Sequence, residues 1–418
     1  MTDATAMRAR ARGLADIFAA ATAALVPWST SATLIAVAVW FVAILMALRP
    51  GELRETMRHP AVYLPVALVA AAAAGTLWAE VAWAERLRGL DPFLRLLLLP
   101  LLFAQYRSGG AWRWMFAAFL ASCTALLAIS FAGMAWHGTI GRHYKTIGVP
   151  VRDYIAQSGE FILCAAGLLY VTMQRWQERR FAAAATAAVL AVLFAVNVAY
   201  VAPSRTGLVT IPLLFALFAI TQFRLRQMLA LLACVVLFVG AVWISSTKVQ
   251  ERITGIFAEV QNYRLNNAET SAGLRVEFWQ QALKIIATAP VVGHGTGSVV
   301  DMFAKAHAAE AHNSIATPTV NPHNQTFMIA IQLGFLGALL VFAMWLAHLR
   351  LFLRDRGLAA WIGLAVVVQN FAGCLFNNHL FDFAQAWIYV FGVGAAGGAV
   401  LARQADVSSR ASQRPSTV

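Results

Sequence analysis

The chain has 418 residues, 60% of them hydrophobic and only 12% charged, where a soluble domain carries about 25% charge. Apolar runs of about 20 residues, enough to cross roughly 30 Å of hydrocarbon, recur along its whole length. A soluble domain is excluded, and an all-α, polytopic membrane protein is predicted. The net charge of +13 invites nucleic acid as a partner, but the charges fall where membrane topology asks for them, so no nucleic acid is expected.

In chain order, apolar runs and breaks predict twelve spans, near 14–28, 31–48, 61–84, 92–106, 114–136, 154–174, 181–200, 207–222, 228–244, 323–347, 358–377 and 383–402. The start, MTDATAMRARARG, leads into the first span without the short apolar region and cleavage site of a signal peptide. With the N-terminus in the cytoplasm, the short inner pieces hold 19 Lys and Arg residues and the short outer loops hold 6. That is the asymmetry of the positive-inside rule, and both ends are expected inside. Cys123, Cys164, Cys234 and Cys374 lie in apolar spans without CxxC spacing and read as packing residues.

One outer segment, 245–322, stands apart between the ninth and tenth spans within a single membrane domain, 1–418. Loops of this size in compact proteins are usually functional. Its stretch SAGLRVEFWQQALKIIATAP (271–290) puts Leu274, Phe278, Ala282, Ile285 and Ile286 on one helical face, closed by Pro290. Such a helix lies on the membrane surface or caps a cavity. The cytoplasmic tail, 403–418, ends in VSSRASQRPSTV and is expected to be disordered.

Under this topology the polar clusters collect on the outer face. GRHYKTIGVPVRDY (141–154) offers Arg142, Lys145 and Arg152 between the fifth and sixth spans. Ser204-Arg205-Thr206 occupies the turn between the seventh and eighth. Arg275 opens the loop helix, and GHGTGS (293–298) follows it. His323-Asn324-Gln325 begins the tenth span, and Asn377-Asn378-His379 joins the last two. A polar side chain in lipid is costly unless it faces protein or water, so one-sided clustering points to an enzyme or binder working on that face.

In NPHNQTFMIAIQLGFLG (321–337), Asn321 is expected to cap the helix and Pro322 to occupy its first position. His323 would then sit in the first turn, where the dipole disfavours imidazolium and keeps a neutral base or hydrogen-bond partner. A histidine that merely caps the helix is the competing reading. Arg205 reads as an interface anchor or an anion ligand, and Arg275 as an anion ligand or a solvated helix residue. The alternating glycines of GHGTGS would expose N–H groups to phosphate, but they lack the strand and lysine of a P-loop. Gly334 and Gly337 read as close-packing positions. His307 and His312 near Glu310 imitate a metal pair without a third ligand, so no metal and no cofactor are expected.

His323-Asn324 followed by Gly334-x-x-Gly337 resembles the signature of the O-antigen ligase family. S-R-T-G at 204–207, Arg275-x-Glu277-x-Trp279 and P-x-x-G-x-G-x-G-S from Pro290 to Ser298 agree with it in order, over roughly 200–340. The resemblance implies a GT-C-like membrane glycosyltransferase with about twelve transmembrane helices in the inner membrane of a Gram-negative bacterium. Its donor would be a glycan on undecaprenyl pyrophosphate, and its acceptor the lipid A–core of lipopolysaccharide. It further implies that Arg205 and Arg275 neutralise the pyrophosphate and that His323 orients or deprotonates the acceptor hydroxyl or binds the leaving group. Asn324, Gln325 and Ser204 would line that site, with Arg142, Arg152, Asn378 and His379 as further substrate contacts. A polysaccharide polymerase or protein oligosaccharyltransferase would use the same donor. A transporter would place polar groups or broken helices near mid-membrane, ideally in repeated halves, whereas here the centres of the spans are nearly free of charge and the two halves show no similarity.

The topology generates a test. A cysteine placed near residue 260 is expected to react with an impermeant thiol reagent from the periplasm, while one near 178 resists. The reverse labelling pattern overturns the outer-face assignment.

Overall fold

The computed structural model describes residues 3–135, 147–266, 270–309, 319 and 321–412. Every regular element among them is helical. The helices are α1 (Asp3–Leu25), α2 (Thr30–Ala47), α3 (Pro50–Thr56), α4 (Pro60–Gly75), α5 (Trp83–Leu94), α6 (Leu98–Arg107) and α7 (Trp112–Ala135). They continue with α8 (Tyr154–Gln177), α9 (Phe181–Val196), α10 (Arg205–Gln222), α11 (Leu225–Ser245), α12 (Thr247–Asn266), α13 (Ser271–Thr288) and α14 (Val299–Ala309). Last come α15 (Gln325–Leu353), α16 (Leu358–Cys374) and α17 (Phe383–Ser412). A π-helical turn, Asn197–Val201, extends α9.

Eight helices among the described residues are long and apolar enough to cross a membrane: α2, α7, α8, α9 with its π turn, α10, α11, α15 and α17. The bent pair α3–α4 makes a ninth if counted as one span. This is a multi-pass membrane protein. The expected span 61–84 stops at Gly75 because Arg86 ties down an irregular turn, donating to Val81 O at 2.8 Å and Thr76 O at 2.9 Å. The expected span 92–106 is shared among α5, a 3₁₀ turn (Arg95–Leu97) and α6. The first expected span lies in α1, which carries three arginines in its first half, and the eleventh is α16, only 17 residues long. The tail from 403, expected to be disordered, is helical as far as Ser412; residues 413–418 lie outside the described residues.

Burial separates lipid-facing from central helices. In α11, Val236, Leu237 and Ile244 are exposed, as a helix facing hydrocarbon requires, whereas α17 is mostly enclosed. The core gathers Trp40, Trp345, Trp361 and Tyr389. His348, fully buried at its centre, has both ring nitrogens occupied, by Tyr389 Oη at 2.7 Å and Ala61 O at 2.8 Å. It is a satisfied core histidine.

The last feature of the fold is a break inside α15. Gly334 has φ 62° and ψ −157°, which only glycine adopts without strain. In an unbroken helix, Phe335 and Leu336 N–H would bond to Ile331 and Gln332 O. Instead the chain at 290–295 enters the gap. His294 and Gly295 N–H donate to Ile331 and Gln332 O at 2.8 and 2.9 Å, and Phe335 and Leu336 N–H donate to Pro290 and Val291 O at 2.8 and 3.3 Å. Two helical bonds are replaced by four. At roughly 1 kcal/mol net per bond, the exchange offsets strain of about 1–3 kcal/mol at Gly334. Thr296 N–H then donates to Gly75 O at 3.0 Å, tying the inserted segment to the end of α4.

The break redirects the start of α15. Its C-terminal part, Phe335–Leu353, is about 28 Å long at 1.5 Å per residue, enough for one crossing. His348 on that part touches Ala61 at the start of α4, and Gly334 lies at the end of α4, so the two helices run side by side. Asn324 meets Leu375 O at the end of α16 at 3.1 Å. The half-helix Gln325–Leu333 therefore runs across one end of the bundle, from the end of α16 to the end of α4.

Replacing Gly334 by alanine sets a Cβ against the Val291 carbonyl in a backbone region alanine avoids. Gly334→Ala is expected to lower the thermal midpoint in detergent by a loss of at least about 1–3 kcal/mol. Gly13→Ala, with open space around its Cβ, is expected to leave it unchanged or slightly raised. Equal midpoints for the two variants would mean that the break is not under strain.

Candidate functional site

The half-helix begins later than its sequence suggests. Asn324, not Asn321, is the N-cap: its backbone is extended and its Oδ1 accepts from Phe327 N–H at 3.1 Å. Asn321 Oδ1 instead accepts from His323 N–H at 2.7 Å, closing a turn in which His323 takes φ 51°. A residue in the left-handed region cannot continue a helix, so His323 stands just outside α15. Its ring makes no hydrogen bond to a described residue. Burial, and next the charge of Arg275, hold its pKa below the usual 6.5, so the imidazole is neutral at pH 7. The expected direction is right, and its cause differs from the helix dipole. Trp279 Nε1–H donates to Pro322 O at 3.0 Å and fixes this turn to α13.

Arg205 is the first residue of α10. Ser204 caps that helix, accepting from Gly207 N–H at 2.9 Å, and its Oγ lies 2.6 Å from Ser158 Oγ on α8. The guanidinium forms an ion pair with Glu259 on α12, and its Nε–H donates to Arg252 O at 3.2 Å. Glu259 also accepts from Ala272 N–H at 3.0 Å at the start of α13. Burial raises the Glu259 pKa, but the bonds from Arg205 and Ala272 and the charges of Arg205 and Arg252 outweigh it, and the carboxylate sits below its ordinary range.

Arg275, one turn along α13, makes no hydrogen bond or ion pair to a described residue. Burial first, then repulsion from Arg205, lowers its pKa, with Tyr154 and Glu259 opposing. Guanidinium nevertheless remains charged. Among the described residues, three arginines, Arg205, Arg252 and Arg275, thus act on the Glu259 carboxylate, with neutral His323 beside Arg275. The cluster is short of negative charge. Glu259 and Arg252 carry no signal in the sequence beyond lying in the long loop, and only the packing of α12 on α10 and α13 reveals them.

The remaining sequence candidates fall into two groups. Gln325, Asn378 and His379 are buried at 0%, 2% and 4% exposure and so do not line an open substrate site. Gln325 Oε1 accepts from Leu380 N–H at 3.1 Å, and Asn378 O accepts from Phe381 N–H at 2.7 Å. Gly373, lacking a Cβ, leaves room for the His379 ring, whose pKa burial pushes down to about 4. These residues brace the turn between α16 and α17 against the half-helix. Arg152 is half-buried over the Phe383 ring at 4.9 Å, and its Nε and Nη2 have no hydrogen-bond partner among the described residues. Arg142 and Lys145 lie outside the described residues, as do Glu310 and His312. GHGTGS is no phosphate cradle: every N–H from Gly293 to Ser298 is already bonded within the clasp around Gly334.

The His323 environment predicts a pH response. Because its folded pKa is below the unfolded 6.5, acid protonates the unfolded chain first, and this residue's contribution to stability falls as pH drops below 6.5. An NMR titration of the imidazole is expected to show a midpoint below 6.5. Arg275→Gln should move it upward without passing 6.5, since burial remains. A midpoint unaffected by Arg275→Gln would separate the two residues.

Comparison with known proteins fits this geometry. Residues 190–342, which include Arg205, Arg252, Glu259, Arg275, His323 and the break at Gly334, match the family described as O-antigen ligase. An uncharacterized protein of Haemophilus influenzae is 24% identical over 174 residues, which cover 40% of this chain and 43% of that relative. The match therefore spans less than half the length of the curated relative. Over residues 190–342, this chain carries an O-antigen ligase family domain.

Proposed function

We propose that the protein transfers O-antigen polysaccharide from undecaprenyl pyrophosphate to the lipid A–core of lipopolysaccharide, on the periplasmic face of the inner membrane. The observation that carries this reading is the arginine cluster with a neutral histidine, all inside the matched region. Departure of undecaprenyl pyrophosphate puts new negative charge on a phosphate oxygen, and preorganised guanidiniums in a partly buried site stabilise such charge strongly. Arg275 has no hydrogen bond or ion pair among the described residues, and Arg205 is held nearby by Glu259.

In the proposed step, the acceptor hydroxyl oxygen attacks the anomeric carbon of the donor. The bond from that carbon to the pyrophosphate oxygen breaks, and its electron pair leaves with the lipid pyrophosphate. The hydroxyl proton passes to the His323 imidazole, which a histidine below its ordinary pKa can accept at pH 7. Asn324 holds His323 in place by capping the half-helix behind it, and the arginines do the charge work without a divalent ion. This reading includes about twelve crossings in a GT-C-like fold, with both termini in the cytoplasm.

The test is transfer from purified undecaprenyl-pyrophosphate glycan to lipid A–core with chelator present. His323→Ala and His323→Gln are both expected to abolish turnover while donor binding survives, a loss of about 10²–10⁴-fold. Arg205→Lys should fail nearly as badly as Arg205→Ala, because ammonium lacks the two-pronged geometry of guanidinium. A near-normal rate for His323→Gln would reduce the histidine to a structural element. In cells lacking the protein, lipid-linked polymer should accumulate; loss of polymerisation with a single-unit cap retained would mean a polymerase.

A further inference from the structure

At the other end of the half-helix lies a cavity of about 240 Å³ that the proposed reaction does not use. Trp78, Glu80, His294, Asp301, Met302 and Lys305 line it. The half-helix, about 13 Å long at 1.5 Å per residue, separates it from His323, and both sites lie at the same end of the bundle. The volume falls below the roughly 300 Å³ at which drug-sized pockets begin, so it suits one or two small rings.

Its walls are held rigidly. The Trp78 ring is exposed, yet its Nε1–H donates to Gly293 O at 3.3 Å, which fixes the indole against the inserted segment. Arg86 bonds both Thr76 O and Val81 O and braces the turn that carries Trp78 and Glu80. Glu80 makes no hydrogen bond or ion pair to a described residue, so its carboxylate is an open acceptor. Asp301 pairs with Lys305 at 2.8 Å on α14, leaving lysine protons and carboxylate lone pairs for a ligand.

An accessible indole face beside carboxylate acceptors and an ammonium donor is the chemistry that recognises a sugar. The ring's C–H face stacks on the aromatic, and its hydroxyls bond the charged groups. Two carboxylates against one lysine leave the pocket net negative, with His294 Nε2 already engaged by Thr288 Oγ1 at 2.9 Å. A phosphorylated or uronic sugar is repelled. No group of three metal-ligating side chains occurs among the described residues.

We propose that this cavity is a secondary carbohydrate subsite for a neutral or amino-bearing sugar. It rests on the transferase reading only for the source of that sugar, which is the donor glycan or the acceptor's own sugars.

Binding is tested apart from transfer, by calorimetry on the full-length protein in detergent. The probes are triacetylchitotriose (neutral), chitotriose (amino-bearing) and trigalacturonic acid (uronic). The first two are expected to bind and the third not. Trp78→Ala should weaken binding about tenfold or more, with Trp78→Phe partly restoring it. Glu80→Gln, which leaves the exposed turn intact, should weaken the amino sugar more than the neutral one. Arg275→Ala should change none of these affinities. Binding of the uronic probe as tight as the amino one, no binding of any probe, or full binding by both Trp78→Ala and Glu80→Gln overturns the proposal, whatever the transfer assay shows. To separate the sources, each purified substrate is titrated into wild type and Trp78→Ala. The substrate whose affinity falls supplies the sugar, and loss for neither also overturns the proposal.

Discussion

A backbone that leaves the helix at Gly334 strands two carbonyls and two N–H groups at the edge of the membrane, where each unpaired group costs several kcal/mol. The segment 290–295 fills all four vacancies, and most of the site's geometry follows. Because the helix is split, its first nine residues run across the end of the bundle and carry His323 to the end of α16. Because the inserted segment leads directly out of α13, the same contact orients that helix, with Arg275 near its start. Phe278, Ala282 and Ile285 of α13 then pack with Val299, Phe303 and Ile331, giving the loop helices an apolar core of their own on the half-helix.

Onto this frame α10 brings Arg205, fixed at its first position by the Ser204 cap and the π-helical turn before it. Glu259 bridges Arg205 to the Ala272 N–H at the start of α13 and thereby links three helices through one carboxylate. Such a pair is suited to exchange: a polyanion arriving at Arg275 competes with Glu259 for Arg205. Burial of His323, and next the charge of half-buried Arg275, lower the histidine's pKa, so a cation that would favour an anion also keeps the imidazole neutral.

The helical class and eight of the helices long and apolar enough to cross a membrane were legible in the sequence, because long apolar runs and polar punctuation are local signals. The sequence misplaced what depends on distant partners. Asn321 and Asn324 are both good caps, and only the Leu375 carbonyl and the left-handed turn at His323 choose between them. GHGTGS looks like a phosphate loop because alternating glycines expose N–H groups. The acceptors that occupy those groups, Ile331, Gln332 and Gly75, are distant in the chain. Asn378 and His379 were expected to touch substrate on the outer face but are buried, since a glycine at 373 admits an imidazole there. Glu259 gave no signal at all, because a carboxylate in an amphipathic helix is unremarkable until its partner is known.

The proposed sharing of Arg205 between Glu259 and an incoming pyrophosphate can be measured directly, as the equilibrium affinity for undecaprenyl pyrophosphate with chelator present. Removing the carboxylate charge in Glu259→Gln frees the guanidinium and lowers the negative potential at the site, so binding should tighten relative to wild type. Arg275→Ala should weaken it by about tenfold or more. If Glu259→Gln binds more weakly than wild type, or Arg275→Ala binds equally well, the arginine cluster is not the pyrophosphate site.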